Sequence, residues 1–132
     1  MALTGALEGR TVVRGATLAL LVAAPAALAS EALVDDEAAD GGSNLVFVFF
    51  LIILVAFLAG GALAGRGRPD VPLVHGAAAA AAAYLVLQGA GTVARLFRGD
   101  DLSPLRLVFN GLLLVSAGIL GALVATRTRR RR

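Results

Sequence analysis

The sequence has no cysteine, no tryptophan and no lysine, and it has one histidine, His75. Without cysteine the chain has no disulfide, no thiolate ligand for a metal and no cysteine nucleophile. A single histidine, with carboxylates placed in loops and near the ends, leaves little from which to build a metal site or a catalytic triad. We therefore expect no enzymatic activity, no cofactor and no bound metal.

Charge is also scarce. Charged residues make up 16% of the chain, whereas about a quarter is usual for a soluble domain, and 58% of the residues are hydrophobic with a mean hydropathy of +0.85. Such a chain has too little polar surface to cover a globule in water, so the composition predicts an integral membrane protein. The net charge is only +3, and the phenylalanines, which could stack on bases, lie mostly inside apolar runs. We therefore expect no nucleic-acid partner.

Four apolar stretches approach the ~20 helical residues that cross a bilayer core of about 30 Å. We place them at 11–29, 45–65, 71–94 and 105–126, separated by an acidic outer loop, 30–44, and followed by a basic tail, 127–132. Because every backbone polar group inside hydrocarbon needs a partner, these stretches predict helices. The fold class is therefore an all-α integral membrane protein, a single membrane domain with four transmembrane helices in an antiparallel up-down bundle.

The positions of the arginines predict the orientation. With the N-terminus in the cytoplasm, nine arginines lie on the cytoplasmic side and three, Arg95, Arg98 and Arg106, lie on the outer side. Because arginine collects in cytoplasmic loops, both termini are expected to face the cytoplasm of a bacterial plasma membrane. Residues 1–29 also have the features of a secretory signal, and cleavage after Ala29 would leave three spans in the same orientation.

Small residues are concentrated at particular places in the second and fourth spans. The second span is bulky in its outer half and small in its cytoplasmic half. Small residues allow helix backbones to approach closely in a bilayer, so we predict helix-packing surfaces there. The residues proposed for helix packing are Gly60, Gly61, Gly65, Gly111, Gly118 and Ala122. The partner is either another helix of the same chain, which we favour, or another copy.

The third span carries most of the polar side chains. Tyr84, Gln88, Thr92 and Arg95 recur at spacings of four, four and three and share one helix face, and Asn110 of the fourth span lies near the same membrane side. A polar stripe inside a membrane marks either a solute path or hydrogen bonding between helices. We favour hydrogen bonding, with Asn110 as a partner for Gln88.

Two features lie at the cytoplasmic interface. His75 begins the third span and is expected to form hydrogen bonds or to meet lipid headgroups, while a role as a pH sensor is the less favoured alternative. The arginines of the tail are expected to bind anionic lipid headgroups. These are Arg127, Arg129, Arg130, Arg131 and Arg132.

The sequence resembles a family of small four-span bacterial membrane proteins, the YrzE-like domain of unknown function. The resemblance covers most of residues 14–125, while the acidic loop and the arginine tail are not features of that family. It implies four helices and no known activity. The shared features are Arg14-Gly15, Glu31, Gly60-Gly61, Gly65-Arg66, the Leu73, His75 and Gly76 motif, Tyr84 and a glycine-containing fourth span.

Three functions fit these observations. The leading one is a non-enzymatic accessory or assembly subunit that acts through helix packing in a larger membrane complex or a homo-oligomer. The second is a small transporter or channel that works as a homo-oligomer, although no ionisable group lies deep in a predicted span. The third is a holin-like pore former, indicated by the short spans and the basic tail.

Overall fold

The computed structural model describes residues 7–37 and 43–131, and within these ranges the chain is helical without any strand. The helices are α1 (Gly9–Glu37), α2 (Ser43–Gly67), α3 (Pro72–Arg98) and α4 (Pro104–Arg130). Each is long and apolar enough to cross a membrane. The predicted all-α bundle of four membrane-spanning helices is therefore confirmed.

All four helices are longer than their predicted apolar stretches, and α1 and α4 exceed theirs most. Helix α1 continues to Glu37, so residues 30–37 of the predicted loop 30–44 are helical. Residues 30–37 contain alanine, leucine and glutamate, which are good helix formers, and no glycine or proline. Likewise α4 continues to Arg130, so most of the tail 127–132 is helical. Hydropathy locates the point at which the sequence becomes polar, but the helix continues beyond that point in both cases.

The start of α3 and the start of α4 each have a proline in the first turn. Asp70, just before α3, does not cap the helix. The N-cap residue is Val71, which has no side-chain capping bond, and Asp70 pairs with Arg68 instead. Ser103 is the N-cap residue of α4, but its hydroxyl forms no capping bond.

The end of α3 is closed by Gly99, which has a φ of 74°. This left-handed conformation is easily adopted by glycine, which has no Cβ. It brings the Asp100 N–H to the Arg95 carbonyl at 3.0 Å, as in a Schellman motif. The chain therefore turns sharply into α4.

Helices α2 and α3 form the middle of the bundle. They contact each other, and both α1 and α4 pack against the pair, from opposite sides. Within the described ranges α1 and α4 share no contact. Consecutive helices run in opposite directions, so α2 and α4, which are neighbours, run parallel to each other.

The bundle has two ends. The termini end carries the start of α1, the end of α4 and the turn between α2 and α3, where Arg68 lies 3.6 Å from Glu8. The far end carries the end of α1 and the turn between α3 and α4, where Arg98 lies 3.8 Å from Glu31.

The interior is built mainly from alanine and glycine, and Phe57 is its largest fully buried apolar side chain. Large apolar side chains such as Leu21, Leu85 and Leu105 are instead exposed on the outer surface. This distribution fits a bilayer, where lipid tails are as apolar as leucine and helices associate through close backbone contact.

Candidate functional site

The closest helix contact joins α2 and α4. A Cβ on Gly61 would overlap the backbone of Gly118, and a Cβ on Gly65 would lie 2.7 Å from the Ala122 Cβ. Both pairs are offset by one helical turn in the same direction, which is the geometry of two parallel helices. We call these four residues the small-residue seam.

Gly118 also contacts α3, so three helices meet there. A Cβ on Gly118 would lie 2.5 Å from the Ala80 Cβ and 2.7 Å from the Gly76 carbonyl oxygen. Since real Cβ atoms essentially never come within 3.0 Å of such atoms, no side chain larger than hydrogen fits without movement of a helix. This Gly118 junction fixes the relative positions of α2, α3 and α4.

The remaining two glycines of the predicted packing set lie at other helix pairs. Gly60 faces α1, where a Cβ would lie 2.5 Å from the Gly15 carbonyl oxygen. Gly111 faces α3, where a Cβ would lie 2.9 Å from the ring of Tyr84. The structure therefore brings all six predicted packing residues to contacts within one chain.

The polar stripe of α3 lies against α4 near the far end. The Tyr84 hydroxyl donates a hydrogen bond to the backbone carbonyl of Leu107. Gln88 and Asn110 line the same cavity, but no direct hydrogen bond joins them in the described part of the chain. The expected amide pair is therefore replaced by a shared polar cavity.

This cavity, which we call the polar cavity, has a volume of about 120 Å³. Its lining combines Gln88 and Asn110 with two arginines, one from the last turns of α3 and one from the first turn of α4. The other polar residues are Arg95, Arg106, Asp101 and Ser103.

An apolar groove of about 450 Å³ adjoins the polar cavity on the surface of the bundle. It runs between α3 from Tyr84 to Thr92 and α4 from Leu107 to Leu112. Gln88 and Leu107 line both spaces, so the cavity and the groove are direct neighbours. Thr92, the last member of the predicted stripe, therefore lies at this groove and not in the bundle interior.

His75 is fully buried at the termini end. The Glu8 backbone N–H donates to His75 Nε2 at 3.0 Å, and His75 Nδ1 lies 3.0 Å from the Val71 carbonyl oxygen. Because Nε2 accepts, Nδ1 must carry the proton and donate to Val71, which is the neutral tautomer. His75 therefore forms hydrogen bonds on both ring nitrogens, which is the role favoured for it from the sequence. The side chain is shielded from the surface of the bundle, and Glu8, directly before α1, is one of its hydrogen-bond partners.

The Glu8 side chain also forms an ion pair. The Glu8 carboxylate lies 3.6 Å from the Arg68 guanidinium, which also forms two hydrogen bonds to Asp70, of 2.9 and 2.7 Å. The hydrogen bond from Arg68 lowers the pKa of the Asp70 carboxyl from 3.8 to about 2. Glu8 was not predicted as a site residue, because nothing local in the sequence links it to residues about 60 positions away.

The arginines of the tail are exposed on the last turns of α4 up to Arg131, and Arg132 lies outside the described residues. Arg129 and Arg66 line one open cleft of about 480 Å³ at the termini end. Two helices therefore present guanidinium groups to the same cleft.

The chain matches no protein-family model, no curated protein and no solved structure. The resemblance to the YrzE-like family stays a prediction.

Proposed function

We propose that this chain is a non-enzymatic accessory or assembly subunit that presents fixed helix faces to another membrane protein. The observation that supports this is the contact between α2 and α3, which occupies the middle of the bundle. At the Gly118 junction these helices and α4 approach so closely that one added methyl group does not fit. A rigid interior of this kind is better suited to a subunit of a complex than to a transporter, which must change conformation to open a path for its solute.

The proposal is tested by placing a photoreactive amino acid at single exposed positions on opposite sides of the bundle. Leu21 on α1 and Leu120 on α4 are suitable, with the fully buried Ala23 as the control. We expect one of the exposed positions to give a stoichiometric adduct with one other membrane protein, and Ala23 to give none. Adducts only with lipid, or only with a second copy of the chain, would contradict the proposal.

A homo-oligomeric channel is the second candidate, because the polar side chains of α3 line a groove that is open on the outer surface of the bundle. A polar path would then form only between copies. The chain has no native cysteine, so a Gly89→Cys variant reports contact at the groove without interference. Efficient disulfide dimers together with ion flux into liposomes would favour the channel, and monomers without flux would remove it.

For the orientation, we propose that the termini end faces the cytoplasm of a bacterial plasma membrane, because eight of the eleven arginines that the structure describes lie toward it. A membrane-impermeant maleimide applied to intact cells should label Ser103→Cys, and should label Thr128→Cys only after the cells are opened. The opposite pattern would reverse the orientation.

We also propose that α1 is retained and not removed as a signal peptide. Its Gly15 packs against Gly60 and its Ala19 and Ala23 are buried in the bundle. N-terminal sequencing of the membrane-extracted protein should therefore not begin at Ser30, and a sequence that begins there would refute retention.

A further inference from the structure

The arginines that line the polar cavity at the far end differ from the neighbouring Arg98 in their ion pairing. Arg98 lies near two carboxylates, those of Glu31 and Asp100. Arg95 and Arg106, which line the polar cavity, have no carboxylate within 4.0 Å among the residues that the structure describes. Two guanidinium groups from different helices thus converge on one small space.

The charges and hydrogen-bond donors of the polar cavity fit a phosphate group. Guanidinium groups recognise phosphate through charge-assisted and paired hydrogen bonds, and the amides of Gln88 and Asn110 supply further donors. Asp101 also lines the cavity. The three charged side chains therefore sum to one positive charge, which matches a singly charged anion.

The apolar groove continues from this cavity toward the middle of the bundle. Its lining reaches Tyr84, which is eleven residues before Arg95 and so about 16 Å away along the helix. Half of a bilayer core of about 30 Å is about 15 Å. The polar cavity and the groove together therefore extend from the level of the arginines through about the depth of one leaflet, and the groove volume of about 450 Å³ lies in the range of ligand sites.

We propose that the polar cavity and the apolar groove together bind one anionic phospholipid, with its phosphate between Arg95 and Arg106 and an acyl chain in the groove. The position of the two spaces supports a lipid over a soluble anion, because the groove opens on a surface that faces lipid. This site lies at the opposite end of the bundle from the arginine tail. It does not depend on the chain being an assembly subunit.

The chain carries its own reporter for this site. Tyr84 lines the groove and is the single tyrosine, and the chain has no tryptophan. Brominated acyl chains that occupy the groove will quench the fluorescence of Tyr84. The experiment reconstitutes the full chain in nanodiscs that contain equal bromine density in phosphatidylglycerol or in phosphatidylcholine. Both lipids have a phosphodiester, but only phosphatidylglycerol has a net negative charge.

We expect quenching to show a preference for phosphatidylglycerol of roughly fivefold, the effect of about 1 kcal/mol for one arginine near an anionic group. The double variant Arg95→Gln, Arg106→Gln should lose this preference. The matched control Arg98→Gln, which changes an arginine at the same end outside the cavity, should keep it.

A second pair of variants tests the groove without disturbing the fold. A Cβ on Gly89 or on Gly91 meets nothing within 4 Å, but Gly89 lines the groove and Gly91 does not. Gly89→Leu should reduce the lipid retained on the chain in native mass spectrometry by about one molecule, whereas Gly91→Leu should not.

Four results would overturn the proposal. The first is equal quenching of the wild-type chain by both lipids. The second is a preference that survives in the double variant. The third is competition by inorganic phosphate together with no effect of Gly89→Leu, which would indicate an anion site without an acyl chain. A dimer that covers Gly89 and excludes lipid would also refute the proposal in favour of a second copy.

Discussion

Replacement of Gly118 by alanine should lower the free energy of unfolding of the bundle, although it adds only one methyl group. The new methyl group would lie 2.5 Å from the Ala80 Cβ and 2.7 Å from the Gly76 carbonyl oxygen, whereas ordinary carbon contacts are about 3.5–4.0 Å. Neither neighbour is the end of a flexible side chain, so α3 and α4 must separate by about 1 Å.

The expected cost follows from three effects. Overpacking costs about 1–3 kcal/mol, and a gap of about 1 Å between α3 and α4 around the new methyl group removes up to about half of the dispersion energy of each atom pair there. The gain in helix propensity from glycine to alanine offsets about 1 kcal/mol. We therefore expect Gly118→Ala to lower the free energy of unfolding by about 2 kcal/mol.

The matched control is Gly89→Ala. It makes the same chemical change in a helix, at a position where a Cβ meets nothing within 4 Å, so it should keep only the propensity gain of up to about 1 kcal/mol. The two variants are compared by titration with sodium dodecyl sulfate in mixed micelles, with the folded fraction measured by pulse proteolysis. Equal midpoints for the two variants would refute the reasoning, because the clash at the Gly118 junction would then be absent.

Three further predictions concern other parts of the bundle. Gly61→Leu should prevent native folding, because its side chain would enter the Gly118 backbone; an unchanged melting profile in detergent would contradict this. Tyr84→Phe removes the hydrogen bond to the Leu107 carbonyl and should cost about 1 kcal/mol in the same titration, so an unchanged midpoint would count against that bond. The Asp70 carboxyl should titrate at about 2 in NMR, and Arg68→Gln should move it toward 3.8. Because the folded-state pKa is lowered, the stabilisation by this pair is present above about pH 4 and is lost as the pH falls toward 2; a carboxyl that titrates near 3.8 in the wild-type chain would refute it.

The sequence was sufficient for the helices and for where small residues gather, but not for which surfaces meet. Hydropathy and length located four spans, since a bilayer imposes both. Glycine spacing indicated close packing at Gly61 and Gly118 without revealing that the two pack against each other in parallel. That pairing depends on the order of helices around the bundle, which no local pattern encodes.

The polar residues show the same limit. Their helical spacing predicted one shared face of α3 for Tyr84, Gln88, Thr92 and Arg95. It did not show that Arg106 joins Arg95, Gln88 and Asn110 around one cavity, because that depends on how the turn at Gly99 sets α4 against α3. The burial of His75 under Glu8 was likewise beyond prediction, as its partner lies 67 residues earlier.

The parallel contact between α2 and α4 has a consequence for biogenesis. Gly61 is synthesised 57 residues before Gly118, and at about 5–20 residues per second the ribosome needs roughly 3–11 s to cover that interval. During this time α2 is already made while the glycine surface that awaits α4 is uncovered. A nascent chain that stalls before its last helix would therefore expose this unpaired packing surface in the bilayer. A chaperone, a protease or a helix of another protein could then bind it.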